Sequence, residues 1–427
     1  MQNSISLRAA PRPSSFASRV QKLSTRSGLE IWLLEDYTLP IISLSFAFEG
    51  CGSAQDPAAK PGVAAMLAGL LGKGCGLLDA EAFQQALDDD AIELSFGVGR
   101  DDFSGQIRTM SGARSRAFDL LAMALRAPRL DPDALLRQRD QIAASLKQGL
   151  NNPGQVASRG FRAACYGEHP YGRSLQLDAL PAISRDDIAA MRERILARDT
   201  LKLGCVGAIS AAVLRDEIER VFGPLPGAAT LSQVQDVLIG GGGQSVAALD
   251  VAQSSICFGR QGIGREDPDY DAATLVNHCF GSGTTSRLFK EVREKRGLCY
   301  SIGTQNAAKA HAALFSGRTA TSNERVVEAI AVIRDEMLRL AATGIAPDEL
   351  ERAKRYLTGS YALQFDTSGK IAAALCKLQL EGRDVTRLDT RNASIEAVSV
   401  ADAARTAARL LGDGEWLVTI AGKPVGL

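Results

Sequence analysis

In the stretch REKRGLCYS, which runs from Arg293 to Ser301, an arginine and a tyrosine stand seven residues apart. Arg293 carries five N–H donors in a planar fork and Tyr300 a phenolic O–H. Brought together, two such groups can polarise a carbonyl and stabilise the oxyanion that forms on it. The local pattern allows this. SRLFKEVREKR reads as a helix that turns Leu288, Phe289 and Val292 inward, with Arg293 flanking that stripe and Gly297 able to end it. LCYSIG then reads as a strand with Leu298, Tyr300 and Ile302 on one face. On the residues alone, a surface arginine beside a half-buried strand tyrosine remains the alternative.

Other chemistries find little support. The chain has three histidines, His169, His278 and His311, and none stands in a nucleophile elbow or at metal-ligand spacing from another. His278, in the apolar run TLVNHCF, reads as a satisfied core histidine, and His169, in EHPYGRS, as a turn residue before proline. GGGG and GSGTTSR lack the spacing and the Lys-Ser/Thr of a phosphate-binding loop and read as turns. The eight cysteines include no C-x-x-C and mostly sit in apolar runs, which suggests buried free thiols and a reducing compartment.

The elements that must position Arg293 and Tyr300 belong to a chain of 427 residues, 45% hydrophobic, with 49 basic and 49 acidic side chains. That balance gives no global field to attract nucleic acid or an anionic membrane. The apolar runs fall short of the roughly 18 to 20 residues that cross a bilayer. The first 29 residues lack Asp and Glu and carry Arg8, Arg12, Arg19, Lys22 and Arg26, the composition of a transit peptide. They read instead as an N-terminal arm, because strand patterning starts at about Val20. A cytoplasmic location is expected, with the periplasm as the alternative if a leader has been removed.

Asp56-Pro57, after a β-rich run and a glycine turn, recurs in the same context as Asp267-Pro268, an offset of roughly 210 residues, the scale of a domain. The chain reads as duplicated. GPLPGAATLSQVQDVLIGGGG, rich in proline and glycine, has the composition of a linker between separately folded units. The expected division is an arm at 1–18, a first domain at 19–224, a linker at 225–242 and a second domain at 243–427. Early β runs followed by helices in each half predict an α+β fold, with helices on one face of a mainly antiparallel sheet.

SRLFKEVREKRGLCYSIG resembles the second-half signature of the pitrilysin and insulinase family of zinc peptidases, notably its bacterial members and the mitochondrial processing peptidase. HPYGRSL, LKLGCVGAISAAVLRDEIERVFGPLP and APDELERAKRYLTGSYALQFDTSGKIAAALCKLQLEG resemble the family in the expected order, so the likeness covers nearly the whole chain. It implies two α+β halves facing each other like a clamshell. The family's inverted zinc motif, H-x-x-E-H, is missing. In GVAAMLAGLLGKG its first His falls on Ala65, its Glu base on Ala68 and its second His on Gly69, and the later glutamate ligand falls on Ser145 in RDQIAASLKQGL. None of these side chains can hold zinc or act as base.

In active relatives an Arg and a Tyr at the spacing of Arg293 and Tyr300 bind the substrate carbonyl region opposite the zinc. The resemblance therefore implies a non-zinc subunit, inactive alone and binding no cofactor itself. A homologous zinc-bearing partner would complete a heterodimeric peptidase acting on extended peptides. Two further readings stay open. One is a proteolytically inactive structural or assembly subunit, like the peptidase-derived core subunits of respiratory complexes. The other is the substrate-recognising subunit of the organellar processing peptidase, which carries a long glycine-rich loop where this chain has only FGSGTTSR.

Overall fold

In the strand Ile41–Glu49 every residue from Ile42 to Phe48 is buried, and its two faces differ in size. Ile42, Leu44, Phe46 and Phe48 point one way, and Ser43, Ser45 and Ala47 the other. A strand buried on both faces needs a layer on each, with a close approach on the side of the small residues. The computed structural model, which describes residues 15–412 and 415–427, shows where both layers come from.

The first half runs β1 (Gln21–Ser24), β2 (Glu30–Glu35), β3 (Ile41–Glu49), α1 (Val63–Leu70), α2 (Ala80–Asp89), β4 (Glu93–Val98), β5 (Asp102–Met110), α3 (Arg114–Arg126), α4 (Pro132–Leu150), α5 (Pro153–Tyr166), α6 (Arg185–Ile195), β6 (Leu201–Gly207) and α7 (Ala211–Phe222). The second runs β7 (Gly243–Ala248), β8 (Gln253–Gln261), α8 (Tyr270–Gly281), β9 (Ile302–Ala308), β10 (Ala313–Ser322), α9 (Val326–Thr343), α10 (Pro347–Gly359), α11 (Ser368–Leu380), α12 (Arg387–Ala397), α13 (Val400–Leu411) and β11 (Leu417–Gly422). The fold is α+β, built on two mostly antiparallel sheets.

Their strand orders are β1-β2-β6-β3-β5-β4 and β7-β11-β8-β10-β9, the same order apart from the extra edge strand β1. In each sheet one pair is parallel, β2 with β6 and β7 with β11, and the other pairs are antiparallel. The repetition reaches single residues. Phe46 lies across from Gly105, and Phe258 across from Gly317; a Cβ on either glycine would come within 2.2 Å of its phenylalanine ring. Capping boxes, Ser184 with Asp187 and Ser399 with Asp402, open the helices preceding the last strand of each sheet, although α13 rather than α12 is the one that matches α6.

The small-residue face of each sheet is covered by a helix of the other half. Helix α11 packs on β6 and β3, and α5 on β11 and β8. At the first crossing a Cβ on Gly204 would lie 2.3 Å from the Ala372 carbonyl oxygen. At the second, Gly160 of α5 brings the helix onto Thr419. Each sheet thus has helices on both faces, its own on one and a borrowed one on the other.

Between Phe222 and Gly243 there is no regular element. The segment is pinned to both halves: the Gln55 amide exchanges two hydrogen bonds with the Ser232 backbone, and the Ile239 N–H donates to Gln261 Oε1. The expected linker at 225–242 is thus held by contacts on either side, and in space the halves share helices. Of the N-terminal arm, Arg8 and Arg12 lie outside the described residues. Phe16 and Ala17 donate backbone N–H groups to Asp389 of α12, which docks the described end of the arm on the second half. No helix among the described residues is long and apolar enough to cross a membrane.

Candidate functional site

Arg293 sits on a single π-helical turn, Phe289–Glu294, in place of the expected α-helical one. Lys295 N–H bonds Lys290 O and Leu298 N–H bonds Val292 O, and Gly297, at φ 58°, reverses the chain. The expected strand across Leu298, Tyr300 and Ile302 begins only at Ile302. Leu298 and Ile302 are buried, whereas Tyr300 is 83% exposed on the loop before the strand. The three therefore do not share a face. The core takes the two aliphatic side chains, and the phenol is turned to solvent.

The reversal nevertheless brings the pair together. The Arg293 guanidinium carbon lies 4.9 Å from the centre of the Tyr300 ring and 4.6 Å from that of Phe289. Arg293 thus makes cation–π contacts with both rings. Among the described residues neither its N–H groups nor the Tyr300 hydroxyl has a hydrogen-bond partner. All of these donors are available.

The positions to which the resemblance assigns the zinc ligands lie on α1 and α4, two helices in contact. Asp56 accepts hydrogen bonds from the Gly62 and Ala64 N–H groups and so fixes the start of α1. Val63, Ala64, Met66, Leu67 and Leu70 go into the core, leaving Ala65, Ala68 and Gly69 on the half-exposed face at i, i+3, i+4 spacing. Helix α4 runs alongside with Ser145 exposed. Space at Gly69 is filled from α4, since a Cβ there would stand 2.3 Å from Gln138 Nε2. Two methyls, a glycine under an amide and a lone hydroxyl do not fit zinc. Among the described residues no group of three or more His, Cys, Asp or Glu could hold a metal ion.

Ala65 forms part of the wall of a cavity of about 500 Å³ that also contains Arg100, Arg159, Arg162, Arg173 and, from the second half, Lys309. Desolvation lowers the Arg100 and Lys309 pKa values. Arg162 adds to both shifts by repulsion, and at each group a nearby aspartate acts the other way. Burial raises the Asp56 pKa, and the two N–H bonds to its carboxylate oppose this.

Tyr171, of HPYGRSL, closes one side of the seam. Its hydroxyl donates to Asp101 and accepts from the His311 N–H, and Lys309 lies over its ring. His169 accepts from the Tyr171 N–H and its Nε2 lies 2.8 Å from the Gln235 carbonyl, so the turn residue ties the seam to the connecting segment. His278 is half-buried and stacked on Tyr356 at 4.8 Å, rather than enclosed in the core. Sequence reasoning missed the arginines. A signal was present in α5, which carries Arg159 and Arg162 at i, i+3 with no acidic residue anywhere in the helix.

Residues 182–357, a span that includes Arg293 and Tyr300, match the model of the peptidase M16 inactive domain. A crystal structure of a peptidase M16 inactive domain from Pseudomonas fluorescens superposes with a TM-score of 0.90 at 25% identity, covering 95% of this chain and 98% of that one. By these likenesses the chain is similar to the M16 peptidase family. Other M16-like relatives carry contrasting descriptions. An uncharacterized zinc protease of Streptomyces coelicolor is 24% identical over 378 residues, 84% of this chain and 81% of the relative. A non-peptidase homologue of Helicobacter pylori is 22% identical over 336 residues, 78% of each chain. This chain shares the fold of these relatives, and Arg293 and Tyr300 lie side by side in it.

Proposed function

We propose that this chain is the non-zinc subunit of a heterodimeric M16 peptidase, presenting Arg293 and Tyr300 to the carbonyl of an extended peptide while a homologous partner provides zinc and the general base. The observation that carries this reading is the state of the pair. The guanidinium carbon lies near two rings, and among the described residues neither the Arg293 N–H groups nor the Tyr300 hydroxyl is spent on a hydrogen bond. A pair whose tyrosine is exposed at the surface suits a site completed by a second molecule. The seven buried cysteines fit the reducing cytoplasm.

A second reading has one observation in its favour. The Phe289–Arg293–Tyr300 stack is a self-contained contact that an assembly subunit with no proteolytic role could keep for stability.

Two measurements on purified protein decide between them. Alone, the chain should contain no stoichiometric zinc and show no chelator-sensitive peptidase activity. Mixed with a zinc-bearing homologue from the same cell, it should elute from size exclusion as a heterodimer. Separate elution at micromolar concentrations, or zinc-dependent cleavage by this chain alone, would overturn the shared-site reading.

A further inference from the structure

The cavity beside Ala65 is lined by five cationic side chains and only one acidic residue, Asp56, whose carboxylate is already engaged by the Gly62 and Ala64 N–H groups. Asp101, close by, is likewise occupied, accepting from the Tyr171 hydroxyl and the Ala310 N–H. Arg100 and Arg162 reach only serine hydroxyls, of Ser53 and Ser174, and Arg173 reaches the Asp56 backbone carbonyl. Arg159 has no hydrogen-bond or ion-pair partner among the described residues. Five cationic side chains against the three nearby carboxylates of Asp56, Asp101 and Asp102 leave an excess of like charge, and an anion there would relieve the repulsion.

The charge continues past α5. A neighbouring cavity of about 490 Å³ shares Arg159 and Arg162 and adds Arg318, together with Ser158, Ser301 and Thr319. Ser301 adjoins Tyr300 in sequence. A cationic path thus leads from the erased metal face, across the two arginines of α5, to the segment that carries the proposed carbonyl-binding tyrosine. Its length exceeds that of a single small anion, and guanidinium forks match carboxylates bidentately.

We infer that the path through Arg159, Arg162 and Arg318 binds the carboxylates of an acidic, extended peptide. This rests on the reading that the chain receives peptides, and it adds a preference for Glu and Asp side chains.

The test uses the full chain alone, without partner or zinc. A fluorescent peptide carrying several glutamates is compared by anisotropy with its glutamine counterpart. The glutamate peptide should bind about tenfold or more tightly, with affinity falling as salt rises. Arg159→Gln should remove most of that difference without lowering the melting temperature, because Arg159 makes no hydrogen bond or ion pair among the described residues, and Arg159→Lys should restore part of it. Arg318→Gln, in the other half, is the second variant and should act in the same direction. Equal binding of the two peptides would overturn the proposal, as would wild-type binding by both glutamine variants. Inorganic phosphate binding more tightly than the glutamate peptide would also overturn it, by assigning the cluster to a small anion. The readout needs neither heterodimer nor turnover, so failure of the shared-site reading and failure of this one are separately visible.

Discussion

The Arg293 guanidinium lies close to the rings of Phe289 and Tyr300 and makes no hydrogen bond among the described residues. If Arg293 and Tyr300 stabilise developing charge on a carbonyl, Tyr300→Phe in the reconstituted pair should lower turnover by roughly a hundredfold to a thousandfold. The ring would remain, so the stack and the assembly should survive. Arg293→Lys should be nearly as harmful, since an ammonium keeps the charge but loses the planar fork and most of its stacking. Steady-state kinetics at matched zinc content measures both. Wild-type turnover in both variants would mean that the stack is structural. The two residue types and their spacing were legible in REKRGLCYS. What was not legible was the π turn and the exposure of Tyr300, because burial of Leu298 and Ile302 overrides the two-residue alternation that would have put all three on one face.

At the scale of elements, the exchange of α5 and α11 sets the packing. Each borrowed helix lies on small residues, and Gly204 allows the closest approach. Gly204→Ala would push a methyl into the Ala372 carbonyl, and backbone cannot yield as a flexible side chain can. A loss of about 1–3 kcal/mol is expected from such overpacking, read as a lower denaturant midpoint with unchanged slope. An unchanged midpoint would mean that α11 docks more loosely than described. The exchange left a trace in the sequence. In IISLSFAFE the large apolar residues alternate with Ser and Ala rather than with charged residues, which marks a second, closely covered face. Periodicity reveals that a face is covered without saying by what, since the covering helix lies more than 300 residues away in the chain for β3.

For the whole molecule, duplication was the most legible property. The recurrence of Asp-Pro after a β run foretold two sheets of matching order, because each copy must solve the same packing problem with the same pattern. The placing of the lost metal positions on Ala65, Ala68, Gly69 and Ser145 comes from the family resemblance alone. The cationic seam was not legible, because Arg100, Arg159, Arg162 and Arg173 come from separate elements of the first half, and Lys309 and Arg318 join them from the second. A partner with its own metal would turn this asymmetric molecule into half of an enclosed site. The most direct measurement is a titration of this chain into a fixed amount of the zinc-bearing homologue, with cleavage of a model peptide as the readout. Activity should rise from near zero and break sharply at one equivalent. A homologue already fully active before any of this chain is added, and unchanged by it, would contradict the shared site.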